Sequence, residues 1–239
     1  MKLTKEKFLY QITFMPRFFP VNCYLVDEGS EFTLIDAGLS IHAKKILKIA
    51  EELKKPITRI VITHAHDDHM GALEKLKKAI PHVKIYLSRR DAKIWAGDQS
   101  LLQSEPQLPL RGGIPKQSKV KPDILVDNGD RIGSLLAIAT PGHTPGMMAF
   151  MDIRTNALIA GDAFQTKGGL AVAGQLRWLF PFPALATWSK ELALQSAENL
   201  LQYNPSLLAV GHGEMIKQPV EAMKKAINEA AKNEAKVGV

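Results

Sequence analysis

Apolar residues recur along the chain with two alternating periods. The segments KFLYQITF (7–14), NCYLVD (22–27) and FTLID (32–36) are rich in β-branched and aromatic residues and read as strands. Over 42–54, Ile46, Leu47, Ile49, Ala50 and Leu53 fall on one helical stripe. TRIVIT (58–63) is a short buried strand followed by a helix over 69–79, VKIYL (83–87) is another strand, and 89–96 is a short helix. Residues 97–122 break the rhythm with four prolines, adjacent glycines and no period, which predicts a long loop or lid. Strands resume at 123–127, 135–139, 147–153 and 157–161; an irregular stretch, 163–183, follows. A helix over 184–202, a strand at 206–210 and a helix over 219–233 close the pattern. The alternation predicts a single α/β domain over 1–239, with short strands inside and helices packed outside.

Composition narrows the class. The 239 residues are 46% hydrophobic and 23% charged, the mix of a soluble globular chain. No apolar run approaches the ~20 residues of a membrane helix, and polar residues interrupt the opening MKLTKEKFLYQITF. No membrane association is expected. The single cysteine, Cys23, excludes a disulfide framework and lies in a strand pattern, so a buried core thiol is expected. These features predict a cytoplasmic enzyme. Lys and Arg outnumber Asp and Glu by 31 to 24, a net +7. Many of the lysines sit in helix-like segments, where solvated faces explain them better than nucleic-acid binding.

The candidate chemistry is in the histidines. Five of seven fall in three motifs, each directly behind an apolar strand: His64-Ala65-His66-Asp67-Asp68-His69, Pro141-Gly142-His143-Thr144-Pro145-Gly146 and Gly211-His212-Gly213. A fourth strand ends in Gly161-Asp162. His64 and His66 lie two apart in extended chain, so their imidazoles project the same way. Asp68 and His69 open the next helix, where an acidic group suits the N-terminus. One six-residue turn can therefore feed two neighbouring metal positions. Imidazole and carboxylate donors without thiolate suit zinc, manganese or iron. His42 and His82 fit no motif and are expected at the surface; Met215–Met223 is expected to form core-facing helix, Asp67 to cap a helix, and Asp130 to follow a turn.

In their order, THAHDDHMG, PGHTPG, GD and GHG resemble the metallo-beta-lactamase superfamily of metallohydrolases, and TLIDAG (33–38) is similar to that family's strand with an acidic residue near the site. The resemblance spans about residues 20 to 213. It implies an αβ/βα sandwich, two mixed β-sheets flanked by helices. It further implies two divalent metal ions, zinc foremost with manganese or iron as alternatives. One would be held by His64, His66 and His143, the other by Asp68, His69 and His212, with Asp162 and a hydroxide bridging them. Asp36 would hydrogen-bond a ligand histidine or a backbone amide, and Asp68 would act catalytically by orienting the hydroxide and shuttling its proton.

The same resemblance bears on substrate. Asp162 argues against a true β-lactamase, where that carboxylate is typically missing. PGHTPG and the compact size resemble lactonases and glyoxalase-type thioesterases, with two departures. Gln165, preceded by Phe164, stands where small acyl-homoserine lactonases often have tyrosine, and only about 27 residues follow His212, too few for a glutathione-binding helical domain. Apolar loops at 15–20, 97–120 and 176–188 are expected near the site, and Phe18, Phe19, Phe164, Gln165, Trp178 and Phe182 are the expected pocket residues. The same loops suit a homodimer interface equally well. The expected activity is hydrolysis of a lactone, ester or thioester carbonyl in a small hydrophobic acyl substrate. The alternatives are a phosphodiesterase or ribonuclease of the same superfamily, or a mononuclear iron enzyme like the sulfur dioxygenases.

Overall fold

The computed structural model describes residues 1–114 and 120–237. Seven strands form the first sheet in sequence order: β1 (Lys2–Glu6), β2 (Leu9–Phe14), β3 (Val21–Asp27), β4 (Phe32–Ile35), β5 (Ile57–Val61), β6 (Lys84–Ser88) and β7 (Ile124–Val126). Pairing is antiparallel from β1 to β4 and parallel from β4 to β7. The parallel half needs crossovers, supplied by α1 (Ala43–Glu52), α2 (Asp67–Met70), α3 (Leu73–Ala79) and α4 (Arg89–Trp95). In the second sheet, β8 (Arg131–Ile132), β9 (Leu135–Ala139), β10 (Met148–Asp152) and β11 (Ala157–Ile159) run antiparallel. After a small ribbon of β12 (Phe164–Gln165) and β13 (Ala171–Val172) come α5 (Phe182–Leu185) and α6 (Lys190–Leu201). Then β14 (Leu207–Ala209) pairs parallel to β11, β15 (Ile216–Lys217) pairs with β14, and α7 (Val220–Val237) ends the described chain.

The two-residue period of each strand sorts its side chains between apolar layers. On β3, Val21, Cys23 and Leu25 pack outward with Ile46, Ile49 and Leu76 of the helices, while Tyr24 and Val26 face the other sheet. On β10, Met148 and Phe150 face inward, and Ala149 and Met151 pack outward with Ala197, Met223 and Ile227 of α6 and α7. The result is an αβ/βα sandwich with a middle layer between the sheets and an outer layer beneath each set of helices. Each fully buried Leu, Ile or Phe in these layers contributes roughly 1.5–3 kcal/mol. Among the described residues no helix is long and apolar enough to cross a membrane.

Several expectations are corrected. β1 precedes the expected first strand; its KLTKE sequence lies at the sheet edge with most side chains wet, so it carries no apolar signal. The helix expected over 69–79 is two short helices, and the one expected over 184–202 is interrupted before Ser189, whose hydroxyl accepts the Leu192 amide at the start of α6. Ile216–Lys217 is a strand, so the helix begins only at Val220. His42 is buried rather than at the surface: it stacks on Phe14 at 3.8 Å, and its Nδ1 accepts the Leu39 amide. Residues 97–114 and 120–122 contain no helix or strand; the rest of that expected loop, 115–119, lies outside the described residues.

Candidate metal centre

β9 and β11 both run antiparallel to β10, and β14 runs parallel to β11, so their C-terminal ends share one edge of the second sheet. The parallel strands β4 and β5 likewise end together in the first sheet. From these ends the chain projects Asp36, the 64–69 turn, His143, Asp162 on a single 3-10 turn, and His212. Three overlapping sets bring their donor atoms within 4.8 Å of one another: His64, His66 and His143; His64, His69 and Asp162; and Asp68, His69 and His212. Asp162 stands between the groups, 3.4 Å from His143 Nε2, 3.5 Å from His69 Nε2 and 3.1 Å from His212 Nε2.

The hydrogen bonds fix which nitrogen of each imidazole faces this point. His69 Nδ1 donates to Asp36 Oδ2 (2.8 Å) and His212 Nδ1 to the Pro20 carbonyl (2.6 Å). His66 Nε2 donates to the Arg111 carbonyl at 2.9 Å. The Thr187 hydroxyl spends its proton on the Pro183 carbonyl and so accepts from His143 Nδ1. The Thr63 hydroxyl donates to Asp36 and accepts from His64 Nδ1 in the same way. What remains is an inward lone pair on each ring. Two pairs of these lone pairs, His64 Nε2 with His66 Nδ1 and His143 Nε2 with His66 Nδ1, face one another at 3.1 Å, where no proton is left to join them. His69 Nε2 and Asp162 Oδ1 are buried without any hydrogen-bond partner. Converging, pre-oriented lone pairs and orphaned buried donors fit divalent metal ions.

The electrostatics agree with that fit. Burial, reinforced by neighbouring imidazoles, holds His64 and His66 below the usual histidine range, so they remain neutral ligands. Burial also pushes His143 down to about 3. At His69 and His212 burial acts the same way, but Asp162 and Asp68, joined by Asp36 at His69, outweigh it and raise both. Burial opposes charge on Asp162 too, yet His212 and His69 hold it well below the carboxylate range. Around His69, His212 and Asp162 the centre therefore favours positive charge, which a cation would supply in place of ring protons.

Several residues that hold the loops were not legible in the motifs. From the first sheet, Asn22 and Tyr24 donate to the Val210 carbonyl at 2.8 and 2.7 Å, and Gln11 donates to the Gly213 carbonyl at 2.8 Å, so they pin the loop that carries His212. Gly211 is needed because a Cβ there would overlap Asp162 Oδ1. Asp91, fully buried, bonds both the 64–69 turn and the loop after His143.

A cavity of about 390 Å³ opens over the centre. It is lined by polar His66, Asp67, Asp68, His143, Asp162 and His212, by apolar Phe19, Leu39, Phe182, Pro183, Leu185 and Ala186, and by Gly112 and Gly113. Of the six expected pocket residues, Phe19 and Phe182 line it, with ring centroids 5.0 Å apart. The other four do not. Phe164 is wholly buried under α6 and α7, and Gln165 is buried with its amide donating to the Lys167 and Phe180 carbonyls. Phe18 and Trp178 point into solvent, 85% and 88% exposed.

Comparison with known proteins agrees with this geometry. The family model described as the metallo-beta-lactamase superfamily matches residues 16–212. The chain is 53% identical to the uncharacterized protein YobT of Bacillus subtilis over 97% of this chain and 100% of that one. It is 28% identical to the hydroxyacylglutathione hydrolase GloC of Haemophilus influenzae, over 64% of this chain and 70% of that one. The crystal structure of TTHA1623 in a di-iron-bound form superimposes with a TM-score of 0.66 at 26% identity, covering 89% of this chain and 96% of that one. A family match that runs from the loop before β3 to His212 leaves one conclusion: the chain belongs to the metallo-beta-lactamase superfamily.

Proposed function

We propose that this protein is a dinuclear metal-dependent hydrolase that cleaves a lactone, ester or thioester carbonyl in an apolar acyl substrate. The observation that carries the reading is the mixed lining of the cavity: histidines and carboxylates share it with Phe19, Leu39, Phe182, Pro183, Leu185 and Ala186, and no described lining residue is Lys or Arg. Beyond the metal ions it would hold, this lining offers no cation to pair the further anionic groups of an RNA strand or a glutathione conjugate. A neutral carbonyl with an apolar chain suits both kinds of lining residue. The name of GloC supports thioester chemistry within this class.

His64, His66 and His143 would hold one cation, and Asp68, His69 and His212 the other, with Asp162 shared between them. Two divalent cations held there would supply a water acidic enough to ionise near neutral pH and would polarise the substrate carbonyl. The donor set suits zinc, which we take as the native metal, and also iron or manganese. Asp68, partly exposed at the cavity wall with Oδ2 3.4 Å from His212 Nε2, orients the attacking water. Its carboxylate takes up the water's proton and returns it to the departing alkoxide or thiolate. Phe19 and Phe182 seat the acyl chain and keep bulk water from the reacting carbonyl. The buried free thiol of Cys23 supports a cytoplasmic enzyme.

The test is a panel of initial rates on metal-reconstituted protein: hydrophobic acyl lactones and thioesters beside an activated phosphodiester and a short RNA. Turnover of the carbonyl substrates alone is expected. Turnover of the phosphodiester or RNA alone overturns the reading.

A further inference from the structure

Asp91 lies on α4, outside every motif that carries a metal donor, and is fully buried. Burying a carboxylate is costly unless donors surround it. Here the donors come from the two loops of the three-histidine set. Oδ2 accepts the amide of Ala65, between His64 and His66, at 2.9 Å, and the hydroxyl of Thr144, next to His143, at 2.7 Å. Oδ1 accepts the amide of Gly146 at 2.7 Å. The Ser88 hydroxyl accepts the Asp91 amide at 3.1 Å and so fixes the first turn of α4 beneath it. The approach is close enough to explain the final glycine of PGHTPG: a Cβ on Gly146 would overlap the Asp91 amide and lie 2.6 Å from Oδ1.

The other carboxylates are placed differently. Asp68 belongs to the set with His69 and His212, Asp162 belongs to the set with His64 and His69, and Asp36 bonds His69 directly and reaches His64 through Thr63. The three-histidine set has only neutral donors, and Asp91 ties together the two loops that carry them.

We propose that Asp91 is a positioning residue for the three-histidine metal position, holding the 64–66 turn against the His143 loop and supplying negative charge behind a neutral ligand set. The inference rests on the dinuclear reading above. It makes the two positions separable: Asp91 governs one of them, whereas Asp36 reaches both.

The test is zinc titration of metal-stripped wild type, Asp91→Asn and Thr144→Val, followed by calorimetry, with thermal unfolding of each metal-free protein as the folding control. Wild type is expected to take up two equivalents. In Asp91→Asn one equivalent keeps wild-type affinity and the other weakens by about 10–100-fold. Thr144→Val keeps the charge, loses one donor, and weakens the same equivalent by about 2–10-fold. A purely structural role would lower the unfolding temperature without separating the two affinities. Two undisturbed equivalents in folded variants overturn the role of Asp91 alone, and Thr144→Val decides the matter if Asp91→Asn does not fold. Fewer than two equivalents in wild type overturn the dinuclear reading itself.

Discussion

Asp36 and His69, at the ends of different elements, meet through Oδ2 and Nδ1 at 2.8 Å in the fully buried floor of the centre. Asp36 adopts φ +59°, a left-handed conformation uncommon for a non-glycine residue. That conformation costs on the order of 1–3 kcal/mol and persists because the surrounding bonds determine it. The same carboxylate accepts the Thr63 amide at 2.8 Å and, through the Thr63 hydroxyl, sets the ring of His64.

In Asp36→Asn, an amide N–H₂ opposite His69 Nδ1 would meet another N–H and favour the wrong tautomer. We expect both metal equivalents to weaken, by about 10–100-fold. Metal titration against a competing chelator measures this; unchanged affinity at both positions would contradict the role assigned to Asp36.

His42 gives a pH signature independent of the metal centre. Burial, with Lys45 nearby, pushes it down to about 4 from an ordinary value of 6.5. Its folded value is depressed, so the unfolded chain binds the proton first. The neutral ring's contribution is fully present above pH 6.5 and is lost as pH falls toward 4. The loss is at most about 3 kcal/mol. His42→Asn keeps an acceptor for the Leu39 amide and does not titrate. Denaturant unfolding of both proteins between pH 7 and 4 should therefore show the wild type losing stability faster; parallel curves would contradict the assignment.

The apolar residues of the cavity lining predict chain-length selectivity. Phe182→Ala removes a large part of that lining, and discrimination in an apolar pocket runs to roughly 1–3 kcal/mol for each methylene-sized change. We expect kcat/KM to fall about 10–100-fold for long acyl chains and little for short ones. Equal losses across chain lengths would place the acyl chain elsewhere.

The α/β alternation was legible because it rests on short-range patterns, whereas the sandwich and the ligand set were implied by the resemblance that the histidine motifs carry. Apolar periodicity marks strands and helices, and the histidine motifs sit directly behind strands. Elements that depend on distant contacts were not legible. β1 is an edge strand of charged residues, and His42 looks like a surface residue until Phe14 stacks upon it. Asp91 resembles any first-turn helix acid; only the fold brings Ala65, Thr144 and Gly146 to it. Phe164 and Gln165 follow Asp162 closely in sequence, yet the β12 strand turns them into the second core and the Phe180 loop.

The most direct measurement is the initial rate of hydrolysis of one long-chain acyl lactone and one matching thioester. It is taken before chelation, after removal of metal and after its restoration, with Asp162→Ala as control. Turnover is expected to disappear with the metal, to return with it, and to be lost in Asp162→Ala. Hydrolysis that survives complete metal removal, or persists in Asp162→Ala at the wild-type rate, would contradict metal-dependent hydrolysis at this centre.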